Sequence, residues 1–343
     1  MSTPTRILVA DFGGTHARAA LARIDGARIV LEDIRAESLV QSQTPAQWLQ
    51  QYYEAAKSPV LAACAACAAG PLEMEEGDAV VHFTNRASDV RASALAEACG
   101  LERASLINDF AAVAHALGAL GEDELIAVGG GAAVADAAQL VLGPGTGLGL
   151  AIRVPQAGGA RVLPGEGGHA ALAPYDAETL SLWPLLAGDR MQLSAEDILS
   201  GPGLKALYRA CATDSGHVPN DELTPAAIAE RGLGGTDAVC ARSVALFTRW
   251  LGFFAGSAAL ITGARGGVTI GGGIIPAWGA RFDRSAFRAA FEAQPAQRAY
   301  VESIPTFLML HPQPALVGLA AYARDQLSGS RAGLPRAKQL PKK

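Results

Sequence analysis

At 343 residues the chain exceeds the roughly 100–200 residues of one domain, so two domains are expected. Half of the residues are hydrophobic and 39 are Gly, which suits a folded core with many tight turns better than a disordered chain. Lys and Arg number 28 against 33 Asp and Glu, a net charge of -5, and no basic stretch interleaved with aromatics precedes the tail. Nucleic acid is therefore not an expected partner.

The N-terminus enters an apolar strand pattern at once, without a charged leader, apolar run and small-residue cleavage site in sequence. The chain is accordingly expected to be cytoplasmic. Residues 6–24 read as strand, polar glycine turn and strand, a hairpin. Asp11, Gly13, Gly14 and Thr15 lie at its turn. Paired glycines let backbone N–H groups approach an anion, a Thr hydroxyl can donate to a phosphate oxygen, and an Asp at a strand end can hold Mg²⁺ directly or through water. The plainer reading is a hairpin turn that needs glycine.

Of five Cys, Cys64 and Cys67 form a lone C-x-x-C in an Ala-rich run. With no second pair or His at ligand spacing, small residues on a buried strand explain it better than a metal or redox site. A helical pattern covers residues 92–99. In SLINDFAAVAHAL a strand pattern breaks into a helix at Asn108-Asp109. Either residue could serve as an N-cap; the functional alternative makes Asp109 the acceptor of a proton from an attacking hydroxyl.

Residues 139–154 repeat the strand, glycine turn, strand pattern, with Gly145, Thr146 and Gly147 at the turn. The segment lacks both the Walker ending and the dinucleotide spacing, which disfavours a nicotinamide-dependent oxidoreductase. Two such turns after matched strands point to an internal duplication and to two loops clamping one polyphosphate. LPGEGGHAALAP holds Glu166 and His169, and Glu196 opens a run, residues 196–211, that reads as helix. No further ligand at metal spacing accompanies them, so zinc is not expected. Carboxylates, an amide and an imidazole can each bond neighbouring sugar hydroxyls in pairs, and Asn108, Asp109, Glu166, His169 and Glu196 make such a set.

The most apolar stretch, residues 244–262, contains Arg249, Gly252 and Gly256 and is expected as a buried helix over 239–262, not a membrane span. Gly271, Gly272 and Gly273 follow in GGVTIGGGIIP. A last helix is expected over 314–327, then a basic tail. Strand units alternating with helices indicate an α/β protein.

In order, D-F-G-G-T, L-I-N-D-F, G-P-G-T-G-L-G, L-P-G-E-G-G-H, S-A-E-D-I-L-S-G-P-G-L and G-G-V-T-I-G-G-G-I resemble the motifs of the bacterial glucokinase family, within the hexokinase, Hsp70 and actin group. The resemblance covers nearly all the chain before the tail. It implies two ribonuclease-H-like, actin-like ATPase α/β domains around a central cleft: residues 1–118 plus 310–328, and residues 119–309, with 329–343 a mobile tail. It implies phosphorylation of glucose to glucose 6-phosphate at the start of glycolysis, with ATP and Mg²⁺, in a homodimer. Asp109 would be the base; Asn108, Glu166, His169 and Glu196 would hold the sugar. Gly13, Gly14, Thr15, Gly145, Thr146 and Gly147 would face phosphate, and Gly271, Gly272 and Gly273 would lie by the adenosine.

The sequence departs from the family pattern in places. His16 stands where Asn is usual, and residues 83–93, FTNRASDVRAS, lack the aromatic usual after Thr-Asn. The second departure leaves another hexose, or a sugar-binding paralogue without turnover, as alternatives. The absence of Cys between Cys99 and Cys211 separates the chain from the related repressor and kinase family with its Cys-rich zinc motif.

Overall fold

The computed structural model describes residues 5–13, 16–26, 28–39, 42–56, 63–83, 88–157 and 159–329. The chain divides into two units: Met1–Leu120, Gln156–Ala160 and Gln313–Lys343 in one, Gly121–Pro155 and Arg161–Pro312 in the other. Relative to the limits expected from sequence, the turn Gln156–Ala160 joins the first unit. A side chain on its Gly159 would begin 3.4 Å from the Asp325 carboxylate.

In the first unit β1 (Thr5–Phe12), β2 (His16–Asp25) and β3 (Arg28–Ser38) form an antiparallel meander. After α1 (Pro45–Ala55) comes β4 (Ala63–Ala68), parallel to β1. A small sheet of β5 (Glu73–Glu75), β6 (Asp78–Val81) and β7 (Val90–Arg91) precedes α2 (Ala92–Ala98). Then β8 (Ala104–Asn108) pairs parallel with β4 and runs into α3 (Asp109–Ala116). The five-stranded order is β3-β2-β1-β4-β8.

Alternation decides which way the strands face. Leu8, Ala10 and Phe12 pack with Trp48 and Leu49 of α1, whereas Ile7 and Val9 face the opposite core.

 Leu95 of α2 lies in the first of these cores, buried with Trp48 and Leu49. Cys64 and Cys67, three apart on β4, likewise turn to opposite faces and join different cores, so the C-x-x-C is two buried small residues and not a facing pair.

In the second unit β9 (Leu125–Gly129) precedes β10 (Gln139–Pro144), β11 (Leu148–Gln156) and β12 (Gly159–Gly165). There follow β13 (Ala171–Leu172), α4 (Ala177–Ala187), β14 (Leu193–Ser194), α5 (Gly201–Asp214), α6 (Pro225–Leu233) and α7 (Ala238–Thr262). Then come β15 (Val268–Ile270), α8 (Ile274–Trp278), α9 (Arg284–Phe291), α10 (Arg298–Glu302) and β16 (Thr306–Met309). The last helix, α11 (Pro314–Gly329), belongs to the first unit and packs on α3. The six-stranded order is β12-β11-β10-β15-β16-β9. Both sheets therefore run an antiparallel meander into two parallel strands, the second adding β9 at its edge.

The sequence places a helix start at Glu196, but α5 begins at Gly201. Ser200 Oγ accepts from Gly203 N–H at 3.1 Å as the N-cap, with Pro202 in the first turn. Residues 195 and 196 are held elsewhere, their N–H groups donating to Ala170 and Gly168 carbonyls at 2.9 and 2.8 Å. Helix α7 is long and apolar enough to cross a membrane by length and composition. Most of it is core: Phe247, Trp250, Leu251 and Ala255 are wholly buried. Its Arg249 pairs with Asp176 and Glu178.

Candidate active site

The parallel strands of the first unit end together. Phe12 is level with Ala68, and Ala68 with Asn108, so Asp11 and Asp109 lie at the carboxyl ends of β1 and β8. Such edges are where open α/β sheets bind ligands. Asp11 keeps 20% side-chain exposure; Arg18 Nη1 stands 3.6 Å from its Oδ2, and Cys67 Sγ donates to its Oδ1 at 3.5 Å. Burial pushes the Asp11 carboxyl up, with Arg18 and the thiol offsetting part of the cost. Burial, followed by the negative Asp11 and Asp109, pushes the Cys67 thiol up. Both carboxylates thus bear on one thiol. The sequence marks Cys67 only as core; its pairing with Asp11 follows from the register of β1 with β4, which the sequence does not carry.

The hairpin turn closes through Gly13 N–H, which donates to His16 O at 2.8 Å. That amide is committed to the turn. Gly14 and Thr15 lie outside the described residues, as do residues 84–87 of the divergent segment and the tail from 330. His16 is the exposed first residue of β2.

Asn108 ends β8 and caps α3, its Oδ1 accepting from Ala111 N–H at 3.0 Å. Its Nδ2 donates to Gly70 O at 3.4 Å, a partner 38 residues away that no motif announced. Asp109 opens the helix, its Oδ1 accepting from Phe110 N–H at 2.8 Å. Capping and chemistry are therefore not competing explanations for the pair: the cap fixes the helix start, and the helix start fixes the carboxylate.

In the second unit the Gly143–Gly149 and Pro144–Leu148 pairs leave Gly145, Thr146 and Gly147 as the turn. Gly145 N–H donates across it to Gly147 O at 2.8 Å. A side chain on Gly143 would begin 2.5 Å from Gly272 N and 2.7 Å from Gly271 C, and Gly272 holds φ +77°. Gly271 and Gly273 N–H groups donate to Leu142 and Pro144 carbonyls at 2.8 and 3.1 Å. These glycines therefore let the end of β15 lie directly against the end of β10.

Glu196 joins that turn: its Oε2 accepts from Leu148 N–H at 2.7 Å, and any side chain on Gly147 would overlap the same carboxylate. Gly201 N–H donates to Gly145 O at 2.8 Å. With Glu196 N–H on Gly168 O, the glycine turn, the 163–174 segment and the start of α5 form one hydrogen-bonded assembly. Glu166 precedes and His169 ends a short 3₁₀ turn, Gly167–His169, their side chains 65% and 63% exposed and His169 Nε2 3.9 Å from Glu166 Oε2. The second unit thus gathers Glu166, His169, Glu196 and residues 145–147, while the first gathers Asp11, Asn108 and Asp109.

A family model described as Glucokinase matches residues 8–326. The chain is 41% identical over 322 residues to a glucokinase of Chromobacterium violaceum, covering 94% of this chain and 90% of that one. It is 39% identical to a glucokinase of Tolumonas auensis, covering 94% and 98%. Among solved structures, the glucokinase of an Antarctic psychrotroph is 32% identical with a TM-score of 0.82, covering 93% of this chain and 99% of that one.

Proposed function

The chain belongs to the glucokinase family, and from that premise we propose that it transfers the γ-phosphoryl group of ATP to the primary hydroxyl of glucose with Asp109 as base. The observation that supports Asp109 most directly is its place: first residue of a helix capped by Asn108, at the carboxyl end of β8. The glucose oxygen attacks the γ-phosphorus, the bond to the β–γ bridging oxygen breaks, and the hydroxyl proton passes to Asp109, leaving ADP and glucose 6-phosphate. Because this transfer is largely dissociative, orientation matters more than strong basicity, and a carboxylate suffices.

Glu166, His169, Glu196 and Asn108 would hold the remaining hydroxyls, each able to accept or donate. The turn at 145–147, kept in shape by Glu196, would face phosphate, with Gly13, Gly14 and Thr15 doing so from the first unit. Gly271, Gly272 and Gly273 would lie by the adenosine. The actin-like arrangement of the two units, a homodimer, the cytoplasm and the first step of glycolysis belong to the same reading.

Asp11 fits a cation, since burial makes its negative charge costly and Arg18 offsets only part of that cost. Mg²⁺ held there, directly or through water, would neutralise phosphate charge. A raised carboxyl contributes stability below the unfolded pKa and loses it as pH rises through the folded one. The Asp11→Asn chain is therefore expected to resist denaturant better than native at pH 7, the gap closing toward pH 3, while needing about tenfold more Mg²⁺ for half-maximal rate. Urea titrations at the two pH values and a Mg²⁺ titration check both.

The decisive assay couples ADP release to purified protein, ATP·Mg²⁺ and glucose, other hexoses or no sugar. Glucose-dependent release is expected. Release only with another hexose would move the substrate, and no release with any sugar would leave a binding paralogue.

A further inference from the structure

We propose that His82 is a positioning residue that, as an imidazolium, pins the end of β6 to β5 and to the start of β7, and so steadies the Gly70 carbonyl that holds Asn108 beside Asp109. This rests on the reading of Asn108 and Asp109 above. The His82 ring lies between two carboxylates, Nε2 2.9 Å from Glu75 Oε1 and Nδ1 2.9 Å from Asp89 Oδ1. A neutral imidazole has one N–H and one lone pair, so only the protonated ring can donate at both ends. Arg91 closes the cluster, its Nη2 donating to Glu75 Oε2 at 2.6 Å and to Asp89 Oδ2 at 3.4 Å. Glu73, also on β5, places a carboxylate oxygen within 4.8 Å of the ring.

Among the described residues, the charges that face His82 are thus Glu73, Glu75, Asp89 and Arg91. Losing the ring proton removes the cation that bridges Glu75 to Asp89 and sets a lone pair against one of them. Asp89 first, then Glu75, holds the ring's pKa above its ordinary value. The clamp is therefore complete below the usual His range and is lost as pH rises through the shifted value.

The path to the site is short. A side chain on Gly70 would begin 3.2 Å from Val81 Cγ1 and 3.6 Å from His82 O, and Gly70 holds φ +134°. Its carbonyl accepts from Asn108 Nδ2, and Asn108 caps the helix that Asp109 begins. Asp89 and Arg91 of this cluster lie within the 83–93 segment that departs from the family pattern.

The groups are part-exposed, with side-chain exposures of 42% for His82 and 29% for Asp89, so the effect is graded. The His82→Gln chain, neutral and with one donor group, is expected to raise KM for glucose about 3- to 10-fold at pH 7 with kcat within about twofold. It should also lose the alkaline rise in KM of the native chain. His82→Lys, cationic throughout, should keep most of the native KM to higher pH. Ring titration by NMR on the full chain should give a pKa above the ordinary value, falling in Asp89→Asn. An ordinary ring pKa, superimposable KM profiles for native and His82→Gln, or equal loss in Gln and Lys chains would overturn the proposal. If Asp109→Asn keeps full turnover while these His82 results hold, the assignment of Asp109 fails and the clamp stands.

Discussion

Replacing Asp109 by Asn is expected to lower kcat about 10²- to 10⁴-fold while leaving glucose affinity within a few-fold of native. The substitution isolates basicity. Asn has the same shape, its amide oxygen can still accept from Phe110 N–H as Oδ1 does at 2.8 Å, and Asn108 still caps the helix through Ala111 N–H. What disappears is the group proposed to take the hydroxyl proton as the phosphoryl bond forms. The coupled ADP assay reads kcat, calorimetric titration with glucose reads affinity, and circular dichroism confirms the fold. Turnover near native would remove Asp109 as base. A large rise in the glucose dissociation constant at unchanged kcat would make it a sugar-binding residue only.

Much of the scaffold is legible in the sequence because its signals are local. The hairpins at residues 6–24 and 139–154 declare themselves by apolar runs on either side of glycine turns, and β1 and β2, β10 and β11 stand there. The long helix at 239–262 is marked by its length and by Gly263, which ends it in the left-handed conformation at φ 62°. The start of α5 is not legible, because Glu196 is drawn out of the helical run by Gly168, a partner 28 residues earlier that periodicity cannot register. The same limit hides the work of Glu196 on Leu148 N–H and of Cys67 on Asp11. Glycines 271–273 announce a special backbone, but only the register of β10 with β15 shows that two of their amides are spent on β10 carbonyls. Residue chemistry was readable; pairing across the sheet was not.

Gly318→Ala should damage both stability and rate, although Ala is the better helix former by about 1 kcal/mol. Gly318 lies in α11, where a glycine needs a packing reason, and α3 supplies it. An added methyl would overlap the Ala112 carbonyl oxygen and come within 2.8 Å of its carbon and 2.9 Å of Ala116 N. These are backbone atoms in a core where Ala112 and Ala116 are fully buried, so no side chain can turn aside. The helices must part, and overpacking of this kind costs about 1–3 kcal/mol, which exceeds the propensity gain at all but its lower end. Because α3 begins at Asp109, a shift of that helix also moves the proposed base. A misplacement near 1 Å can cost on the order of 10²-fold, so kcat should fall by about tenfold or more beyond any loss of folded protein. Calorimetry gives the midpoint, and the ADP assay well below it gives kcat. Ser328→Ala, at the exposed end of the same helix, should change stability by no more than about 0.5 kcal/mol. A Gly318→Ala chain as stable and as fast as native would show that α3 and α11 need not touch so closely, and that the position of Asp109 does not depend on their contact.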